Sequence, residues 1–162
     1  MSTSYKAPAG TSVGHIHLKV SDLDRALSFY RDLLGFELTT MYGDQAAFLS
    51  AGGYHHHIGL NTWQSKGAPP APTRAAGLFH TAFLYPTRKD LAQIVKRLID
   101  HGYPISGASD HGVSEAVYLN DPDGNGVELY CDRPQEEWKH RDDGSIEMVT
   151  ERLDLEDLLS EL

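Results

Sequence analysis

The order of strands and helices along this chain runs twice, and a chain that repeats itself in this way folds as two similar halves. The first pass opens at 13–20, where Ile16, Leu18 and Val20 share one face of a strand and His15, His17 and Lys19 share the other. Ser21 or Asp22 caps a helix whose apolar stripe is Leu23, Leu27, Tyr30 and Leu34, and Gly35 ends it. Strands at 36–40 and 45–50, joined by a Gly43-Asp44 turn, and a fourth at 54–63 complete the pass. The second pass begins with a strand at 78–85 that carries His80. Thr87 and Asp90 start a helix with the stripe Leu91, Ile94, Val95, Leu98 and Ile99, closed by Gly102. Strands at 103–106, 115–119 and 126–131 follow. Twenty residues separate His15 from Gly35 and twenty-two separate His80 from Gly102, so the two histidines hold equivalent places.

The pattern predicts an α+β fold of two βαβββ modules, at 13–63 and 78–131, joined by a Pro-, Gly- and Ala-rich linker at 64–77. A loose arm at 1–12 precedes them and an acidic extension at 132–162 follows. One helix covers one face of each module's sheet, which leaves the other faces to curve towards each other. Those faces carry His15, His17, His57, His80, Glu128 and Tyr130. The closing hairpin is marked by Asp121-Pro122-Asp123-Gly124, where Pro presets φ and Asp-Gly supplies the positive-φ position. After it Val127 and Leu129 alternate with Glu128 and Tyr130, so Glu128 points away from the apolar side.

Composition narrows the partners. A chain of 162 residues with 40% hydrophobic residues builds one domain with a real core. No apolar run approaches the roughly 18 residues of a membrane span, and the first ten residues lack a signal-peptide core, so no membrane is expected. The single cysteine, Cys131, permits no internal disulfide, and a reducing cytoplasm is the expected compartment. The net charge of −9 argues against nucleic acid. Most of it belongs to 135–162, where ten acids face Lys139, Arg141 and Arg152. Within that extension 134–144 reads as irregular, and Leu153, Leu155, Leu158, Leu159 and Leu162 suit a short helix that docks on the domain or on a partner subunit.

The motifs resemble a known family. Gly14-His15-Ile16-His17-Leu18-Lys19-Val20-Ser21-Asp22-Leu23, continuing to Phe29-Tyr30-Arg31-Asp32-Leu33-Leu34-Gly35-Phe36, is similar to the first-module signature of the vicinal oxygen chelate superfamily. Asp121-Pro122-Asp123-Gly124-Asn125-Gly126-Val127-Glu128-Leu129 is similar to its closing signature. That superfamily includes glyoxalase I, fosfomycin- and bleomycin-resistance proteins and extradiol dioxygenases. The stretches Gly53-Tyr54-His55-His56-His57-Ile58-Gly59-Leu60-Asn61-Thr62-Trp63 and Asp110-His111-Gly112-Val113-Ser114-Glu115 most resemble the catechol 2,3-dioxygenase branch.

The resemblance implies a curved mixed sheet around a metal site held by His15, His80 and Glu128. Glyoxalase I has a fourth ligand at a place that falls here at about Ile58 or Gly59, neither of which binds metal, and this favours three. Two imidazoles and a carboxylate with open positions are characteristic of non-haem Fe(II) oxygenases, although the same count serves catalytic zinc. The resemblance makes His57 the catalytic acid–base, on the His15 side of its strand with His56 facing away, and His111 a second catalytic histidine. Imidazole suits that role because it titrates near neutral pH. His17, Tyr118 and Tyr130 are expected to line the substrate pocket, with Asn61 a further donor. The expected reaction is Fe(II)-dependent extradiol cleavage of a catecholic compound by O₂. The alternatives are a glyoxalase-like isomerase or lyase, or a thiol transferase, using Zn²⁺, Ni²⁺ or Mn²⁺, and a bleomycin-resistance-like binding protein. The strand pattern is satisfied equally by one chain closing its own site or by a homodimer.

Overall fold

The computed structural model describes residues 4–162, so the start of the expected arm lies outside the described residues. Residues 4–14 run exposed, without strand or helix. The first module then gives β1 (Ile16–Lys19), a helix, β2 (Glu37–Tyr42), β3 (Ala46–Ser50) and β4 (Ile58–Asn61). The helix starts as expected: Asp22 accepts from the Arg25 N–H at 2.9 Å and α1 covers Leu23–Leu27. It continues as a π-helix over Ser28–Leu33, whose wider turns bury Phe29 beside Tyr30. The sheet order is β1-β4-β3-β2, with β1 and β4 parallel and the other pairs antiparallel.

The second module gives β5 (His80–Leu84), α2 (Arg88–Asp100), β6 (Gly107–Asp110), β7 (Ser114–Asn120) and β8 (Gly126–Asp132). Thr87 caps α2 by accepting from the Asp90 N–H. Leu91, Ile94, Val95 and Leu98 are buried as the stripe requires, whereas Ile99 is half exposed at its edge. The strand expected at 103–106 lies instead at Gly107–Asp110, because Tyr103 turns back onto the core and its hydroxyl donates to the Asn120 carbonyl at 2.7 Å. The extension contributes β9 (Glu151–Arg152) and α3 (Leu155–Leu159), so the second sheet has five strands in the order β5-β8-β7-β6-β9. Leu153 and Leu158 of the expected leucine face are buried, and Leu162 is exposed.

The two sheets share no strand pairing, but one apolar cluster contains residues of both modules. Arg97 donates to the Leu33 and Asp32 carbonyls at 2.8 and 2.6 Å, which satisfies backbone acceptors left free where the first helix ends. Tyr30 donates to Asp121 at 2.9 Å, and Arg25 pairs with Asp123 at 2.6 Å. The modules are therefore joined through their helices and the core-side faces of their sheets. Their other faces stay uncovered, with Trp63, Phe79, Leu84 and Tyr42 all exposed. No helix is long and apolar enough to cross a membrane among the described residues.

Candidate active site

The uncovered face of the second sheet gathers the largest group of expected site residues. β5 and β8 are parallel neighbours, with His80 opposite Gly126 and Ala82 opposite Glu128. A Cβ on Gly126 would run into the Phe79 carbonyl and lie 3.0 Å from His80 Cβ, so glycine there is what allows the His80 strand to approach. His80 Nε2 and Glu128 Oε2 meet at 2.8 Å. Glu128 is 9% exposed, in keeping with a carboxylate held by partners rather than by water.

Tyr118 stands directly across from Glu128 on β7, and its hydroxyl donates to Glu128 Oε1 at 3.1 Å. The same hydroxyl lies 2.6 Å from His111 Nε2, so one phenolic proton faces two acceptors. Burial, reinforced by the Glu128 charge, pushes the Tyr118 phenol up to about 12. His111, in the turn between β6 and β7, points its Nδ1 at the Val149 carbonyl, 2.8 Å away. Tyr130 shares this face two residues beyond Glu128; burial raises its phenol too, with Asp132 and Glu128 adding to the effect. His80, Glu128, Tyr118, His111 and Tyr130 thus come together as one group.

The first sheet holds the others apart from that group. His15 lies just before β1 with its ring centroid 4.5 Å from that of His56. His17 lies over Gly59, between Phe48 and Trp63 at ring-centroid distances of 5.7 and 5.6 Å. Burial and the nearby His15 lower its pKa. No three His, Cys, Asp or Glu side chains come together in a metal-holding group among the described residues. The expected triad is therefore assembled only as the pair His80–Glu128, with His15 on the other sheet.

The alternation expected at 54–63 is corrected. The strand begins only at Ile58, so Tyr54 to His57 are not held to a two-residue period. His56, assigned outwards by that alternation, also lies on the uncovered face, against His15 and Phe48, and burial followed by the charge of His15 lowers its pKa. His57 turns to the end of β3. Its Nδ1 accepts from the Ala51 N–H at 3.3 Å and stands 3.1 Å from Oγ of Ser50, two residues along β3 from Phe48. Asn61 is buried, and its Oδ1 accepts from the Trp63 N–H at 3.2 Å. Alternation fails for His56 because the strand that would impose it has not yet begun, and Trp63 is an exposed residue packed on His17.

A family model described as the Glyoxalase/Bleomycin resistance protein/Dioxygenase superfamily matches residues 12–129. The chain is 41% identical over 152 residues to catechol-2,3-dioxygenase of Bacillus subtilis (strain 168), an alignment that covers 93% of this chain and 52% of that protein. It thus spans about half the length of that relative. It is 32% identical over 122 residues to the metallothiol transferase FosB of Staphylococcus epidermidis, covering 74% of this chain and 81% of FosB. The crystal structure of lactoylglutathione lyase from Agrobacterium tumefaciens superposes with a TM-score of 0.59 at 26% identity, covering 78% of this chain and 96% of that one. Two βαβββ modules, the His80–Glu128 pair on an open sheet face and the match across both modules lead to one conclusion: the chain belongs to the glyoxalase/bleomycin resistance/dioxygenase superfamily and has the vicinal oxygen chelate fold.

Proposed function

We propose that this protein is an Fe(II)-dependent extradiol dioxygenase acting on a catecholic substrate, with its metal held by His80 and Glu128 of one copy and His15 of a second. The observation that carries the reading is the convergence of His80, Glu128, Tyr118 and His111 on one uncovered sheet face. The donor set suits the metal: two imidazoles and one carboxylate match a 2-His-1-carboxylate centre with open positions. Bound Fe(II) would supply a chelating centre for two adjacent hydroxyls and a path for electrons from the catechol, which is oxidised, to O₂, which is reduced. Tyr118 is placed to hydrogen-bond a substrate oxygen beside Glu128, and His111 behind it to accept a proton passed through that phenol. Kinship with a catechol-2,3-dioxygenase along 93% of the chain supports this choice of reaction.

The packing supports the second copy. One chain's core already occupies the covered faces of both sheets, so His15 and the His80–Glu128 pair are left on separate uncovered faces. Those faces expose Trp63, Phe79 and Leu84, apolar surface that a symmetric partner would bury. A two-fold pair would build two equal sites, each with His15 from one copy and His80 and Glu128 from the other.

The test is metal analysis of anaerobically purified protein, then oxygen uptake with a small catechol panel. One iron per site and catechol-dependent O₂ consumption are expected. His15→Ala and Glu128→Gln each abolish turnover, and mixing and refolding the two variants together restores about a quarter of it, because half the chains pair as hybrids with one intact site. No recovery on mixing would place His15 in the same chain's site. Zinc, nickel or manganese without oxygen uptake would favour a thiol transferase or isomerase, the reading to which the FosB likeness over 81% of FosB's length points. Failure to bind any metal after reconstitution would leave a small-molecule binding protein.

A further inference from the structure

The C-terminal extension does more than cover the core. Its backbone reaches into the site at one point, residue 149. The Val149 N–H donates to the His111 carbonyl at 3.1 Å, and the Val149 carbonyl lies 2.8 Å from His111 Nδ1. Thr150 Oγ1 is 3.5 Å from the same nitrogen. Three further ties fix where residue 149 lies. β9 pairs with β6 through Ser109–Arg152 and Asp110–Glu151. Leu158 of α3 is fully buried. Arg88 bonds Asp157 at 2.6 Å and Glu161 at 2.9 Å while holding the buried Glu115 at 2.7 Å. The Val149 side chain closes over the Gly112 turn, where an added Cβ would stand 3.4 Å from Val149 Cγ2.

A carbonyl only accepts, so the proton of that 2.8 Å contact belongs to His111 Nδ1. A neutral ring with its proton there has a lone pair on Nε2, and Nε2 faces the Tyr118 hydroxyl at 2.6 Å. The phenol has one proton, and Glu128 Oε1 competes for it from 3.1 Å. The Nδ1–H tautomer is what makes Nε2 an acceptor there at all, at the shorter of the two distances.

We propose that the extension is a positioning element of the site: the Val149 carbonyl holds His111 in its Nδ1–H form and so presents Nε2, as an acceptor, to the Tyr118 hydroxyl beside Glu128. Its effect on turnover rests on the dioxygenase reading, whereas the tautomer itself does not. Val149 acts through His111 and has no contact of its own with the reacting groups.

Cys131, the single cysteine, offers a junction for joining a ¹⁵N-histidine-labelled 1–130 segment to a synthetic 131–162 segment. The synthetic part carries either the natural amide or an ester between Val149 and Thr150, which weakens the Val149 carbonyl as an acceptor and keeps every side chain. Long-range ¹H–¹⁵N spectra of the metal-free full chain read the His111 ring, and steady-state kinetics follow iron loading. The all-amide chain is expected to show protonated Nδ1 and bare Nε2. The ester chain is expected to gain the Nε2–H form and to lose about tenfold in kcat, with KM held within about twofold. A bare Nδ1 in the all-amide chain overturns the proposal by itself, even where the ester chain fails to fold. An ester that leaves ring and kcat unchanged overturns it as well. If neither chain turns over a catechol but the ester still shifts the tautomer, the positioning stands and the dioxygenase reading falls.

Discussion

A Cβ on Gly59 would stand 2.9 Å from the His17 ring, closer than side-chain carbons approach without displacement. The glyoxalase I resemblance locates a fourth metal ligand at about this place, and here the space is filled by His17, packed between Phe48 and Trp63. A three-ligand site is thus consistent with the packing as well as with the missing side chain. Gly59→Ala is expected to cost about 1–3 kcal/mol, as overpacking does, because ring and strand must part. The double variant with His17→Ala should recover most of that loss, since the obstructing ring is gone. Urea unfolding of the two single variants and the double reads the coupling; additive losses would show that ring and glycine are independent. His57 offers a second lesson at this scale. A histidine run sits legibly in the sequence, but how each ring is turned depends on where the strand begins.

Among the elements, α3 is short and would not persist alone. Arg88 is what fastens it, with its guanidinium shared between buried Glu115 on β7 and the acids Asp157 and Glu161. Glu115 keeps a second partner, Arg133, at 2.9 Å. Arg88→Ala is therefore expected to cost about 2–3 kcal/mol, below the roughly 3–5 of a buried pair left with no partner. The denaturation midpoint should fall with m unchanged, and limited proteolysis should cut near 150–160 first. An unshifted midpoint would mean that Leu153 and Leu158 hold the extension without the ion pairs.

For the whole molecule, three tyrosines tie the modules and core together, and each has its phenol raised. Burial, with the Asp121 charge adding, raises Tyr30; burial alone raises Tyr85 to about 12; burial and then Asp121 raise Tyr103 to about 12. A phenol that ionises at about 10 when unfolded releases its proton more readily there than in the fold. Unfolding is then favoured as pH rises, so this stability is complete below about pH 10 and is lost through about pH 12. Melting temperature should fall over that range together with the rise of tyrosinate absorbance; a flat Tm would show these phenols ionising freely in the folded chain.

The sequence alone determined the module plan, both helix caps, the closing turn and the placing of His80 and Glu128 on the non-apolar faces of their strands. Each is written in local periodicity or turn chemistry. The tertiary structure decided what local pattern does not encode. Packing through helices and inner sheet faces left His15 on a different open face from His80 and Glu128, because burying apolar area selects which faces meet and is indifferent to where a ligand stands. It packed His56 against His15, where strand alternation would have turned it away, because the chain is irregular before Ile58. It also brought Val149 to His111 across 38 residues, through a backbone carbonyl that every residue possesses and no sequence signal marks.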